Sequence, residues 1–356
     1  MVLIIKSKQS ISCILIFAFL FAYHSSAYAI GKPVSSAQAC VLMHESGRIL
    51  FGKNETQQLP MASVTKIMTA LVCIENCSLD ETVDVKPEYC AVEGSSMYLR
   101  AGKRYTVREL LTGLLLASGN DAAVCLAEHV SGSIGGFAEL MNKKAQELGL
   151  TDTHFVNPHG LDDANHYSTA EDLARLMFAC MENEEFRAIC GTYETQIQGQ
   201  YLTNHNRLLK ICRGCIGGKT GYTMRAGRCL VSCAQRAGES YVCVTLNDPD
   251  DWMEHIYLYD WAENNYVMSD LGGLCRTTIP LVSGNTASVS VSPDERICYL
   301  LRKDEKPYAE FELPRFVFAP VYAGEKAGLV RICIDKVEIF TADVYYCETA
   351  ELAASM

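Results

Sequence analysis

A serine and a lysine three positions apart, Ser63 and Lys66, offer the first chemistry in the sequence. On a helix such residues share a face, so the amine can reach the hydroxyl. A serine hydroxyl is a poor nucleophile until a neighbouring base takes its proton. Lysine becomes that base when burial or a nearby cation lowers its pKa. A helix N-terminus also favours negative charge developing on the serine oxygen. The pair therefore suits acyl transfer through a serine ester, although this spacing is common by chance. Two further groups bear on it. Ser118-Gly119-Asn120 sets a second hydroxyl and an amide just past a leucine-rich run, where the same residues would also end a helix. Lys219-Thr220-Gly221 follows Gly217-Gly218. Its lysine and hydroxyl can bind a carboxylate and Gly221 lets other backbone come close, while a lysine there would also protect an edge strand.

Several elements must position these residues. Ala39 to Phe51 reads as a hairpin turning at Glu45-Ser46-Gly47-Arg48. Apolar residues at Ile67, Ala70, Leu71 and Ile74 recur with helical spacing after Ser63. Helices are expected over Val107 to Ala117, Asp121 to Val130 and Gly136 to Leu148, and Ser168 with Glu171 forms a capping-box signature before another. Strands follow around Cys215 to Lys219, Arg228 to Ala234 and Ser240 to Asn247, closed by a helix from Trp252 to Glu263. Strands at both ends of a helical insert imply an α/β sandwich of an antiparallel sheet with helices. From Val267 onward, short Val/Ile/Thr-rich runs alternate with turn residues, which reads as a small C-terminal all-β domain. The expected division is a leader over 1–29, a catalytic domain over 30–266 and a β-rich domain with an acidic tail over 267–356.

S-x-x-K, S-x-N and K-T-G in this order and context resemble the signature of penicillin-binding proteins and serine β-lactamases. The fuller segments Pro60 to Thr69, Phe155-Val156-Asn157-Pro158-His159-Gly160-Leu161-Asp162, His166 to Ala170, and Lys219 to Thr223 with Ala226-Gly227 are similar to the serine-type D-Ala-D-Ala carboxypeptidases. That resemblance covers roughly residues 35–350 and implies the transpeptidase-like fold together with a set of roles. Ser63 would attack the carbonyl of the penultimate D-Ala of peptidoglycan stem peptides, with Lys66 as general base. Backbone N–H groups of Ser63 and Tyr222 would form the oxyanion hole. Ser118 would relay protons and Asn120 would hold the peptide amide. Lys219 and Thr220, with Gly221 allowing close approach, would bind the terminal carboxylate, and the charge of Lys219 would help keep Lys66 neutral. β-Lactams would acylate the same serine as inhibitors.

The chain departs from that pattern where relatives often carry arginines near the substrate carboxylate, since His205 and Asp251 stand in those places. Arg207, Arg225 and Arg228 are the candidates to replace them. Relatives commonly end in a basic amphipathic helix that lies on the membrane, whereas residues 337–356 carry Glu338, Asp343, Glu348 and Glu351 with no Lys or Arg. No basic anchor is expected, and any membrane association needs another route. Class A β-lactamases usually read S-D-N and use a glutamate-held water, neither of which is evident here. A serine β-lactamase and an inactive penicillin-binding scaffold are the competing readings. The scaffold would be marked by loss of Ser63, Lys66 or Lys219, and all three are present.

Bulk properties agree with an exported enzyme. Lys6 and Lys8, the apolar run from Ile11 to Tyr23 and Ala27-Tyr28-Ala29 read as a cleavable secretory signal. Its removal takes the net charge from −11 to −13, which argues against nucleic acid as a partner. Of 17 cysteines only Cys13 lies in the leader, and many others occupy apolar positions and read as small hydrophobes. Most are expected to be free thiols. Cys212-Arg213-Gly214-Cys215 has metal-like spacing but no second pair, so neither a metal nor a cofactor is expected. His159 is expected to order its loop, not to transfer protons.

Overall fold

In chain order the elements begin with β1 (Ala39–His44), β2 (Ile49–Lys53), a 3-10 turn (Ala62–Thr65) and α1 (Lys66–Asn76). Next come β3 (Thr82–Asp84), β4 (Arg104–Thr106), α2 (Val107–Leu116), α3 (Asn120–Ser131), α4 (Ile134–Glu147), α5 (Ala170–Glu182) and α6 (Glu184–Cys190). After β5 (Glu194–Ile197), β6 (Gln200–Thr203) and α7 (Leu208–Ile211) the chain forms β7 (Cys215–Thr223), β8 (Gly227–Arg236), β9 (Glu239–Leu246) and α8 (Asp251–Asn265). This computed structural model describes Gly31 and residues 33–353; the expected leader lies outside the described residues.

The central sheet has the order β2-β1-β9-β8-β7, and every neighbouring pair in it is antiparallel. Both faces are covered. Ala39, Val41 and Met43 join Val231, Val242 and Val244 in one core with Ile67, Met68, Leu110, Leu114 and Leu176 from the helices. On the opposite face, Tyr259 and His255 of α8 meet Ser232 and Thr245 through hydrogen bonds of 2.7–3.2 Å. Burial on both sides explains why these strands read as continuous apolar runs. It also explains the cysteines: Cys229, Cys233 and Cys243 are buried small side chains, and the cysteines from Cys40 to Cys347 are all free.

Two local expectations are corrected. Ser63 lies on a 3-10 turn ahead of α1, not inside the helix, because Ala62 takes a left-handed φ of 49°. The helix after Ser168 is capped by Thr169, whose hydroxyl accepts from the Asp172 N–H at 3.0 Å. Ser168 is diverted to Thr153, 2.7 Å away.

The chain divides between Glu263 and Asn264. The second unit pairs β10 (Tyr266–Asp270) with β13 (Cys298–Arg302). Its larger sheet also contains β11 (Thr277–Val282), β12 (Ser288–Ser292), β14 (Tyr308–Glu312), β15 (Val317–Phe318), β16 (Lys326–Ile334) and β17 (Val337–Tyr346), in the order β14-β16-β17-β12-β11-β15. Ile279, Val289, Val291, Val330, Ile332 and Val344 alternate inward to fill its core. Within the acidic stretch after residue 337, Glu338 and Asp343 lie on β17. The architecture is α/β with an antiparallel sheet, helices on both faces and a C-terminal β unit.

Asp121, at the start of α3, fixes the loop that approaches it. Its buried carboxylate accepts from Ser96 Oγ at 2.6 Å and from the Met97 and Leu99 N–H groups at 3.0 Å. Asp121→Ala should cost about 3 kcal/mol, because it strands two buried donors. Urea unfolding measures the loss, and faster proteolysis between Ser95 and Leu99 should accompany it.

Candidate active site

The turn at Ala62 swings Ser63 towards the sheet edge and leaves Lys66 as the first residue of α1. Lys66 is wholly buried. Its Nζ lies 2.8 Å from Ser63 Oγ, 2.7 Å from Asn120 Oδ1 and 2.7 Å from the main-chain oxygen of His159. Burial first, then the Lys219 charge, hold its pKa well below the usual lysine value, against a smaller opposing pull from Asp121. A neutral amine has two N–H donors and one lone pair. With Asn120 and His159 supplying only acceptors, the lone pair is left for Ser63, which is the orientation a general base needs.

Ser118 lies between α2 and α3 with φ of 59°, a second left-handed non-glycine residue in the site. Such conformations cost about 1–3 kcal/mol and persist where surrounding contacts enforce them. Ser118 Oγ accepts from Lys219 Nζ at 3.1 Å, and the same amine donates to its neighbour's carbonyl, Thr220 O, at 2.8 Å. Lys219 is also buried, so it does not act as an edge-protecting surface lysine, and burial brings its pKa to about 7. Asn120 spends its amide N–H on Glu93 O at 2.5 Å, which turns Oδ1 towards Lys66.

Close backbone approach brings the motifs together. A Cβ on Gly221 would stand 2.9 Å from Met61 O and 3.0 Å from the Ser63 nitrogen. One on Gly160, where φ is 87°, would stand 2.0 Å from Ala62 O. Asn157 Oδ1 accepts from the N–H groups of His159 and Gly160 at 3.2 and 2.7 Å, which aims the His159 carbonyl inward. The His159 ring is held neutral, its pKa lowered to about 4 mainly by burial and then by Lys66.

Thr220, Gly221 and Tyr222 line a cleft of about 470 Å³ with Ser95, His205, Arg228, Asp251 and Trp252. Of the three arginine candidates, Arg228 is the one that lines it. Its Nε donates to Asp251 Oδ2 at 3.2 Å, its second contact is to Asp251 Oδ1, and its guanidinium stands 5.7 Å from the Trp252 ring centre. Asp251 is buried, and that burial lifts its carboxyl above the usual range despite the pull of Arg228. The residue that breaks the sequence pattern, at the start of α8, therefore holds a cation contributed by β8. Nothing in the spacing of Ala226-Gly227-Arg228 announced this pairing. The His205 ring is neutral, lowered by burial and then by Lys219 and Lys66.

Two side-chain triads could hold a metal, Cys77 with Glu81 and His129, and His44 with Glu45 and Glu239. Neither shares a residue with the cleft. Among the described residues no helix is long and apolar enough to cross a membrane.

Comparison with known proteins identifies the family of the chain. The profile of the D-alanyl-D-alanine carboxypeptidase family, peptidase S11, matches residues 26–250. The chain is 32% identical to D-alanyl-D-alanine carboxypeptidase DacF of Bacillus subtilis over 90% of its own length and 89% of that protein. It is 34% identical to the carboxypeptidase DacA of Haemophilus influenzae, over 96% and 93% respectively. The crystal structure of DacD from Francisella tularensis has a TM-score of 0.74 at 27% identity, covering 91% of this chain and 95% of that one. Penicillin binding protein 5 from Haemophilus influenzae also has a TM-score of 0.74, at 29% identity over 90% and 99%.

The two buried lysines set a pH dependence. Lys66 becomes a better proton acceptor for its neighbour Ser63 as pH rises and it sheds its proton, while Lys219 attracts anions less as it loses its charge above about 7. The rate of labelling by a β-lactam should thus stop rising and fall once pH passes about 7. A rate that keeps climbing beyond that point would exclude a charged Lys219.

Proposed function

Since the chain belongs to the D-alanyl-D-alanine carboxypeptidase family, peptidase S11, we propose that Ser63 carries this reaction with the surrounding residues in fixed roles. The activity is that of a serine D-Ala-D-Ala carboxypeptidase, which removes the terminal D-alanine of peptidoglycan peptides and is sensitive to penicillins. Ser63 Oγ attacks the penultimate carbonyl as its proton passes to Lys66 Nζ. The oxyanion forms against the N–H groups of Ser63 and Tyr222, an arrangement worth about 3 kcal/mol per donor in acyl transfer. The C–N bond then breaks, and the leaving amine takes a proton by way of Ser118. Water attacks the ester, Lys66 accepts its proton, and Ser63 is restored as its oxygen is reprotonated. Asn120 holds the substrate amide.

The carboxylate of the departing D-alanine binds Thr220, Lys219 and Arg228. Asp251 occupies Nε and one Nη of Arg228, which leaves the other guanidinium donors for a ligand in the cleft that Arg228 lines. The observation that carries the whole reading is the Lys66 amine, 2.8 Å from Ser63 and otherwise surrounded by acceptors. The acidic chain works outside the cytoplasmic membrane after loss of residues 1–29, on the strength of the leader pattern.

Mass spectrometry after incubation with a D-Ala-D-Ala peptide and then with penicillin tests the assignment. Wild-type protein should release D-alanine and gain a penicilloyl adduct, and Ser63→Ala should do neither. Rapid penicillin turnover without D-alanine release would instead favour a β-lactamase, and no adduct at all would favour a scaffold. Arg228→Ala should raise KM about tenfold, equivalent to about 1.4 kcal/mol, with a smaller change in kcat. An unchanged KM in steady-state assays would remove Arg228 from carboxylate recognition.

A further inference from the structure

The cleft does not end at its reacting groups. Ser95 and His205 also line a second cavity of about 350 Å³, which contains Tyr98, Gln200 and Tyr201. Tyr98 and Gln200 in turn line a third, of about 480 Å³, which Arg100 and Lys103 also line. Shared lining residues place the three cavities side by side as a trough, from the cleft lined by Thr220 and Tyr222 to the cavity lined by Arg100 and Lys103.

The trough is built, not incidental. One wall is the loop fixed by Asp121 and the other is the hairpin of β5 and β6. Gln200 Nε2 donates to Met97 O at 2.8 Å and Gln198 Nε2 to Arg104 O at 2.7 Å, which ties the walls together. Tyr98 stands on this path with φ of 60° and 73% of its surface exposed, its N–H held by Ser96 Oγ at 2.8 Å. An exposed tyrosine gains little from burial to offset a left-handed backbone, so the strain points to a role in what passes over it. Tyr201, 82% exposed, lines the same cavity.

The charges at the far end point to the ligand. Nearby arginines are paired, Arg104 with Asp84 and Arg108 with Glu185. Arg100 and Lys103 are exposed and have no ion-pair partner among the described residues. In a chain of net charge −11, two uncompensated cations at the end of a preformed trough are suited to receive an anion.

We propose that Arg100 and Lys103 bind a carboxylate of the peptide substrate other than the terminal one, with Tyr98 and Tyr201 bedding the chain between. This subsite rests on the carboxypeptidase reading of the cleft and adds a selectivity for acidic peptides. The carboxylate belongs either to the acyl strand or to the residue on the leaving side.

Three synthetic peptides test it. The first is diacetyl-Lys-D-Ala-D-Ala, the second adds an N-terminal glutamyl residue with a free carboxylate, and the third carries an acidic side chain on the leaving residue. Binding is read as slowing of fluorescent-penicillin labelling of Ser63, which needs no hydrolysis, and D-amino-acid release is followed alongside. Arg100→Ala with Lys103→Ala should weaken binding of one acidic peptide about tenfold, leave the neutral peptide unchanged and lose its effect at high salt. Whichever acidic peptide responds identifies the source of the carboxylate. Arg100→Lys with Lys103→Arg should retain the preference. The proposal is overturned if all three peptides weaken equally or if neither acidic peptide responds. Selective binding without release from any peptide would keep the subsite and overturn the reaction assigned to the cleft.

Discussion

The arrangement of this site turns on one amine, Lys66, held inside the core where burial disfavours its charged form. Lys66 is buried among α1, α3 and the loop bearing His159, and each neighbour contributes a constraint. Burial alone would lower its pKa but leave its lone pair undirected. The acceptors of Asn120 and His159 supply direction, because a neutral amine bonded to both must turn its remaining pair to Ser63. The left-handed residues at Ala62 and Ser118, the close approach of Gly221 and the carbonyl turned inward by Asn157 are the local costs of this convergence.

A second lysine completes the arrangement from the opposite side. Lys219 faces Ser118 and repels a proton from Lys66, while burial keeps its own pKa near the middle of the physiological range. Arg228 differs because it is half-exposed and locked to a buried Asp251. A permanently charged guanidinium can therefore stand at the cleft without repelling Lys66 as strongly as a bare cation would. The unusual acid at position 251 makes that possible by supplying the counter-charge.

Much of this was legible in the sequence, and what was missed has physical reasons. Ser63, Lys66, Ser118, Asn120 and Lys219 were readable because side-chain chemistry and order along the chain both survive as letters. The strands of the sheet and of the β unit were readable from apolar runs and alternation. The His159 contribution was not, because a main-chain oxygen has no residue type. Nor was the pairing of Arg228 with Asp251, which depends on β8 packing beside the start of α8. The cap moved from Ser168 to Thr169 because Thr153, distant in sequence, claims the first hydroxyl. The short parallel pairing of β11 with β15 leaves too few residues for any period to emerge.

The two buried lysines also bind folding to the proton. In the unfolded chain each titrates at its ordinary value of 10.5, and folding lowers both. Between 10.5 and the folded value, about 7 for Lys219, the unfolded chain holds protons that the native chain rejects. Their stabilising contribution is complete only above that interval and shrinks as pH falls through it. Near neutrality, opening this part of the molecule takes up protons from the surroundings, so acidification pulls the equilibrium towards the open chain. The burial that lowers the pKa of Lys66 beside Ser63 thus ties the integrity of this unit to the acidity of its surroundings.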